Sequence, residues 1–121
     1  QMAPTTLPGQ ITTTSPAGRD VEHSGYPLRI SEMLATLATP GYIERVSVHS
    51  PMHIIRAKAA IKRAFTYQKN NVCFGLVEVL STCPTNWGLT PSEATKWLET
   101  KLMSYFPLGR FKQPDEGEVT K

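Results

Sequence analysis

Cysteine is scarce in this chain: its 121 residues hold two, Cys73 and Cys83. Mostly extended chain separates them, at about 3.3 Å per residue, whereas a disulfide needs Cα atoms within roughly 7 Å, so the two are not expected to bridge. Thiols that do not pair with each other suit a reducing compartment, and a cytoplasmic location is the expectation. Long apolar runs are also missing. No stretch approaches the roughly 18–20 residues of a membrane-crossing helix, and no charged-then-apolar segment of signal-peptide type is seen. Nor is charge of one sign concentrated: 13 Lys+Arg stand against 10 Asp+Glu, a net +3, well short of the patch that marks a dedicated nucleic-acid binder. The Gly-x-x-x-x-Gly-Lys, Gly-x-Gly-x-x-Gly and Gly-x-Ser-x-Gly patterns are absent. His49 and His53 have the spacing of a helical zinc pair, but Ser50-Pro51 sets a helix boundary between them, so they are not expected to share a helix face.

What is present centres on residues 72 to 93. The run Val72-Cys73-Phe74-Gly75-Leu76-Val77-Glu78-Val79-Leu80 reads as a strand buried on both faces, and hence as part of a parallel sheet. It breaks into Ser81-Thr82-Cys83-Pro84-Thr85-Asn86-Trp87-Gly88, where Gly88 permits a turn. A helix restarts at Thr90-Pro91-Ser92-Glu93, with Thr90 as cap, Pro91 at the first helical position and Glu93 closing a capping box. Ligand sites in open parallel sheets lie beyond the carboxyl ends of strands, which is where Cys83 leaves this one. Pro84 keeps Cys83 extended, so its thiol either projects from a constrained loop or packs as a small buried hydrophobe. Glu78, the one carboxylate expected inside the sheet, must be paired, hydrogen-bonded or neutral.

In chain order, residues 1 to 28 are rich in Thr and Pro, carry Gly9, Gly18 and Gly25 as breakers, and lack an apolar period. They read as a binding-type loop ordered by something outside itself. Ser31 is expected to cap a short helix to about Leu37, ended by Pro40-Gly41. Tyr42 to His49 reads as a strand in which Glu44 and Arg45 point to an edge position. Pro51 to Lys69 reads as an amphipathic helix with Ile54, Ala57, Ile61, Ala64 and Phe65 on its apolar face. Its basic face, with Arg56, Lys58, Lys62 and Arg63, leaves a small basic α/β nucleic-acid-binding module as a second reading. A last helix from Pro91 carries Ala94, Trp97, Leu98, Leu102 and Tyr105 on one side and stops at Pro107. The expected fold class is α/β: a partial parallel sheet with flanking helices. The chain divides into a loop at 1–30, an α/β portion at 31–112 and a polar tail at 113–121. Unpaired sheet edges and a start at Gln1 point to the carboxyl-terminal portion of a larger α/β domain.

Three blocks in order carry a resemblance: Gln1-Met2-Ala3-Pro4-Thr5-Thr6, then Thr13-Thr14-Ser15-Pro16-Ala17-Gly18-Arg19-Asp20, then Ser81-Thr82-Cys83-Pro84-Thr85-Asn86-Trp87-Gly88. Together they resemble the β subunit of 2-oxoacid:ferredoxin oxidoreductases, of the 2-oxoglutarate and 2-oxoisovalerate group, over residues 1 to about 112. The resemblance implies the carboxyl-terminal part of a thiamine-diphosphate-binding fold. It also implies decarboxylation of a 2-oxoacid onto coenzyme A, with electrons passing through a [4Fe–4S] cluster to ferredoxin. It places Gln1, Met2, Ala3, Pro4 and Thr5 beside the cofactor and makes Cys83 the last of four cluster ligands. No catalytic residue is assigned by it. The family's Mg²⁺ and diphosphate ligands, and its other three cluster cysteines, have no counterpart here. The chain alone is therefore expected to be inactive and to depend on an α subunit and other partners.

Overall fold

The strand Gly41–Ser47 (β1) is buried along nearly its whole length and sits at the centre of a three-stranded sheet. The computed structural model describes residues 3–39 and 41–114. Gln1, Met2, Pro40 and the tail beyond residue 114 lie outside the described residues. Two compact units are present: residues 30–81 with 107 onward form the sheet unit, and residues up to 29 with 82–106 form the loop unit.

After the helical turn Val21–Ser24 (α1) of the loop unit come the elements of the sheet unit: the helix Ile30–Ala35 (α2) precedes β1, and the helix Pro51–Lys69 (α3) connects β1 to the strand Phe74–Leu80 (β2). β1 and β2 pair in parallel from Gly41↔Phe74 to Ser47↔Leu80, as the sequence predicts. A strand that the sequence reading missed, Gly109–Lys112 (β3), pairs antiparallel on the other side of β1, so the sheet is mixed in the order β2-β1-β3. Its Arg110 and Lys112 hide it from a hydrophobicity pattern.

The edge and centre positions are exchanged relative to expectation. β2, read as buried on both faces, is an edge strand with Phe74 and Val79 exposed, while β1, read as an edge, is central. The charges Glu44 and Arg45 are tolerated in the middle because each finds partners from other elements. Arg45 is fully buried between Glu32 of α2 (Nη2–Oε2 2.5 Å, Nη1–Oε1 2.9 Å) and Glu78 of β2 (Nε–Oε2 2.9 Å). Burial works against its charge, but the bonds from Glu32 and the charge of Glu78 outweigh it and hold the Arg45 pKa above its ordinary value. Glu78 is thus paired, and it also accepts from Ser31 Oγ at 2.5 Å. Ser31 is no helix cap: it lies inside α2, fully buried, because the Glu78 carboxylate needs its hydroxyl.

Glu44 serves the opposite face, where it accepts from Tyr42, Arg63 of α3 and Arg110 of β3. On that face Val46 packs with Ala57 and Ala60, joined by Val77. Small side chains let α3 lie close to the sheet, and a Cβ added to Gly75 would stand 3.1 Å from the Ala64 methyl. The expected apolar face of α3 is therefore corrected: Ala57 and Ala60 are buried, whereas Ile54, Ile61 and Phe65 are exposed.

In the loop unit, Thr90 caps the helix Pro91–Trp97 with the full capping box predicted from Thr90 and Glu93. That helix continues through a π-helical segment, Leu98–Leu102, into a final turn at Met103–Tyr105. Ala94, Leu98, Leu102 and Phe106 are buried.

Candidate functional site

Residues 3–28 have an organiser of their own, which corrects the expectation of a loop ordered only from outside. Arg19, 7% exposed, donates to six backbone carbonyls. Its Nη1 reaches Ala3 (3.2 Å), Pro4 (3.4 Å) and Thr6 (3.0 Å). Its Nε reaches Gly25 (2.8 Å), and Nη2 reaches Ser24 (3.1 Å) and Tyr26 (3.2 Å). A guanidinium carries five N–H donors in a fixed fork, so one buried Arg does the work of a small core where apolar residues are lacking. The backbone adds Gly9 N–H to Arg19 C=O (2.9 Å) and Leu28 N–H to Pro4 C=O (3.0 Å). Gly18 takes φ +84° so that the chain can pass Gly9. The helical turn Val21–Ser24 follows, capped by Asp20, whose carboxyl is held below its ordinary pKa by the bond to His23 and by the Glu22 N–H.

This loop is tied to the Cys83 segment within the same unit. Thr13 N–H donates to the Asn86 carbonyl at 3.0 Å, and the Thr13 hydroxyl donates to the Asn86 side-chain oxygen. The short helix Pro84–Trp87 occupies what the sequence reads as irregular loop; Cys83 is its N-cap and Gly88, in the left-handed conformation, its C-cap. Cys83 is exposed in this chain, against the reading of it as a buried hydrophobe. Trp87 packs against Trp97 with ring centroids 4.7 Å apart and the rings tilted by 48°. Together with Leu7, Gln10, Ile11 and Lys101 they line an open groove of about 390 Å³.

Of the residues expected beside a cofactor, Ala3 and Pro4 are exposed and Thr5 is half-buried, all within the Arg19 assembly; Gln1 and Met2 lie outside the described residues. Thr13–Asn86 and Arg19 bring the three motif blocks into one unit as far as they are described. Sequence reasoning placed Arg19 in a motif but missed its role. The available signal was a lone basic residue in a segment rich in Pro, Gly and Thr, with few side chains able to organise it.

His49 and His53 lie on either side of the helix boundary, as expected, yet their ring centroids are 4.0 Å apart with the rings tilted by 37°. Each Nδ1 meets a serine hydroxyl, Ser47 at 2.6 Å and Ser50 at 2.7 Å. Among the described residues no group of three or more His, Cys, Asp or Glu fits a metal ion, and no helix is long and apolar enough to cross a membrane.

Comparison with known proteins gives the same direction. The chain is 46% identical over 112 residues to the ketoisovalerate oxidoreductase subunit VorA of Methanothermobacter thermautotrophicus, covering 93% of this chain and 24% of that one. The corresponding subunit of Methanothermobacter marburgensis is 45% identical over the same share of this chain and 23% of its own. The 2-oxoglutarate synthase subunit KorB of Archaeoglobus fulgidus is 35% identical over 99 residues, 82% of this chain and 33% of that one. No family model and no solved structure matches. The chain is thus similar to subunits of the kind that its three blocks resemble, those of 2-oxoacid:ferredoxin oxidoreductases. It spans about a quarter of the length of the two ketoisovalerate oxidoreductase subunits.

Proposed function

We propose that the chain works within a cytoplasmic 2-oxoacid:ferredoxin oxidoreductase, together with an α subunit and further subunits, acting on 2-oxoisovalerate or 2-oxoglutarate. The reaction converts the 2-oxoacid and coenzyme A to acyl-coenzyme A and carbon dioxide, and the two electrons released pass to ferredoxin. The observation that carries this reading is the 46% identity over 93% of the chain. Nothing favours the nucleic-acid-binding alternative: of the four residues read as its basic face, Arg56, Lys58, Lys62 and Arg63, the last is turned to Tyr42 and Glu44 of the sheet.

Thiamine diphosphate, when bound, would supply a nucleophilic carbon for the 2-oxoacid carbonyl and an electron sink for the decarboxylation, while the protein supplies placement and electrostatics. The residues present suit a flank of that cofactor. The carbonyls of Ala3, Pro4 and Thr6 are engaged by Arg19 and so are not free to repel an anion beside the turn. Mg²⁺ ligands are not assigned to the described residues, which hold no suitable cluster. For the [4Fe–4S] cluster, an exposed thiol at Cys83 fits one thiolate ligand, and a cluster needs four.

The test is Cys83→Ser in the assembled complex. Loss of cluster iron, of the reduced-cluster paramagnetic signal and of ferredoxin reduction is expected, with thiamine diphosphate still bound. Full iron content and normal ferredoxin reduction would remove Cys83 from the ligand set. Comparing 2-oxoisovalerate with 2-oxoglutarate in the unmodified complex assigns the substrate.

A further inference from the structure

The segment that carries Cys83 does not hold itself in place. The helix Pro84–Trp87 has four residues and buries none of them, and a single helical turn is marginal by itself. Its own bonds, Trp87 N–H to Cys83 C=O (3.0 Å) and Leu89 N–H to Pro84 C=O (3.0 Å), close the turn without fastening it to anything else. Trp97 meets it on the Trp87 side. Among the described residues, the hydrogen bonds that reach residues 83–89 from outside both come from Thr13. Its N–H donates to the Asn86 carbonyl, and its hydroxyl donates to the Asn86 side-chain oxygen.

Thr13 is presented from a rigid turn. It stands at the tip of Thr12-Thr13-Thr14-Ser15, whose base is locked by two backbone bonds between Thr12 and Ser15 (3.2 and 3.1 Å) and by their hydroxyls at 2.8 Å. Both base residues are buried, while Thr13 itself is exposed. One residue thus joins positions 73 apart in the chain, and it does so at the helix that Cys83 begins.

We infer that Thr13 is a positioning residue for the Cys83 thiolate: through Asn86 it fixes where the sulfur stands. Partners that orient a metal ligand tune the metal it holds, and the surroundings of the sulfurs set the properties of an iron–sulfur cluster. The inference rests on the reading of Cys83 as a cluster ligand, and gives Thr13 a role that the resemblance leaves unassigned.

The experiment uses the assembled oxidoreductase as wild type, Thr13→Val, Thr13→Ser and Asn86→Ala. Valine keeps the shape and the backbone bond but removes the hydroxyl, serine retains it, and Asn86→Ala removes the same side-chain bond from its other end. The quantities read are the paramagnetic resonance spectrum of the reduced cluster, the rate at which an iron chelator strips it, and thiamine diphosphate uptake. Thr13→Val is expected to shift the resonance lines and to speed iron loss roughly two- to tenfold, the range of one hydrogen bond in an equilibrium. Thiamine diphosphate uptake stays at the wild-type level. Thr13→Ser keeps the wild-type values, Asn86→Ala matches Thr13→Val, and the double variant is no worse than either, as the two ends of one bond require.

A wild-type spectrum and rate in Thr13→Val overturns the inference, as does a Thr13→Ser that behaves like the valine variant. Loss of thiamine diphosphate in step with iron shows general damage and overturns it too. Should Thr13→Val not assemble, Asn86→Ala and Thr13→Ser decide by the same criteria. Cys83→Ser separates the two levels. If it keeps its cluster, the reading of Cys83 falls and this inference with it; if it loses the cluster while Thr13→Val changes nothing, the inference falls alone.

Discussion

Two buried arginines organise the two units in opposite ways. Arg45 in the sheet is held by carboxylates from α2 and β2, while Arg19 in the loop unit is held by carbonyls alone. The first is a closed electrostatic unit. Its charge is matched by carboxylates from two other elements, and what it yields is registration of α2 and β2 on β1. The second has its donors taken up by six backbone carbonyls, and among the described residues no carboxylate bonds to it. Hydrogen-bond satisfaction and pairing with a carboxylate are therefore separate conditions, and among the described residues this chain meets both at Arg45 and only the first at Arg19.

The largest effect expected is from Arg45→Met. It strands two partly buried carboxylates and should lower stability to urea by about 3–5 kcal/mol. The triple variant Arg45→Met, Glu32→Gln, Glu78→Gln should recover much of that loss, because no uncompensated charge remains. If the triple variant is as unstable as the single one, the ion pairing is not what makes Arg45 costly to remove. A smaller effect is expected at Gly18, where a Cβ would stand 2.9 Å from the Gly9 carbonyl oxygen on a backbone already at φ +84°. Gly18→Ala should cost about 1–3 kcal/mol and, read by hydrogen exchange, should loosen residues 3–28 while leaving β1 and β2 protected. Uniform loosening of both units would show that the loop has no local organisation of its own.

The smallest effect comes from Glu93, a charge that also rests on neutral donors but does so in water. The Thr90 hydroxyl, then the Thr90 N–H, hold its carboxyl below the ordinary value of 4.5. A lowered folded pKa means that the stabilisation is present above pH 4.5 and fades as the pH falls through the folded value. Acid should thus fray the start of the Pro91 helix first, and Glu93→Gln should make that fraying independent of pH. Nuclear magnetic resonance titration of the Glu93 carboxyl and the Thr90 amide checks both statements.

Features determined by neighbours in sequence were legible. The capping box at Thr90 and Glu93, the turn at Gly88, α3 and the parallel pairing of the strands on either side of it all follow from local chemistry. Features that depend on distant partners were not. Glu44 and Arg45 look like edge residues until Glu32, Glu78, Arg63 and Arg110 arrive from elsewhere, and β2 looks central because its apolar run says nothing about how many strands lie beyond it. Serine at position 31 looks like a cap until the Glu78 carboxylate claims it. In the candidate site, motif resemblance identified the right segments, yet Arg19 became interpretable only when six carbonyls were seen around it.

The alternation of the two units along the chain has a consequence for the order of assembly. β1 and β2, with α3 between them, can pair as soon as residue 80 is available. The other side of β1 waits for Lys112 to reach Ile43, after all of residues 82–106 have been made. The loop unit likewise waits for Asn86 before Thr13 finds its partner. Closing such long loops is slow, so during synthesis the central strand presents an unpaired edge for as long as the intervening helices take to emerge. The charged flank of Glu44 and Arg45, a burden in a finished central strand, is then a safeguard against pairing that edge with another nascent chain.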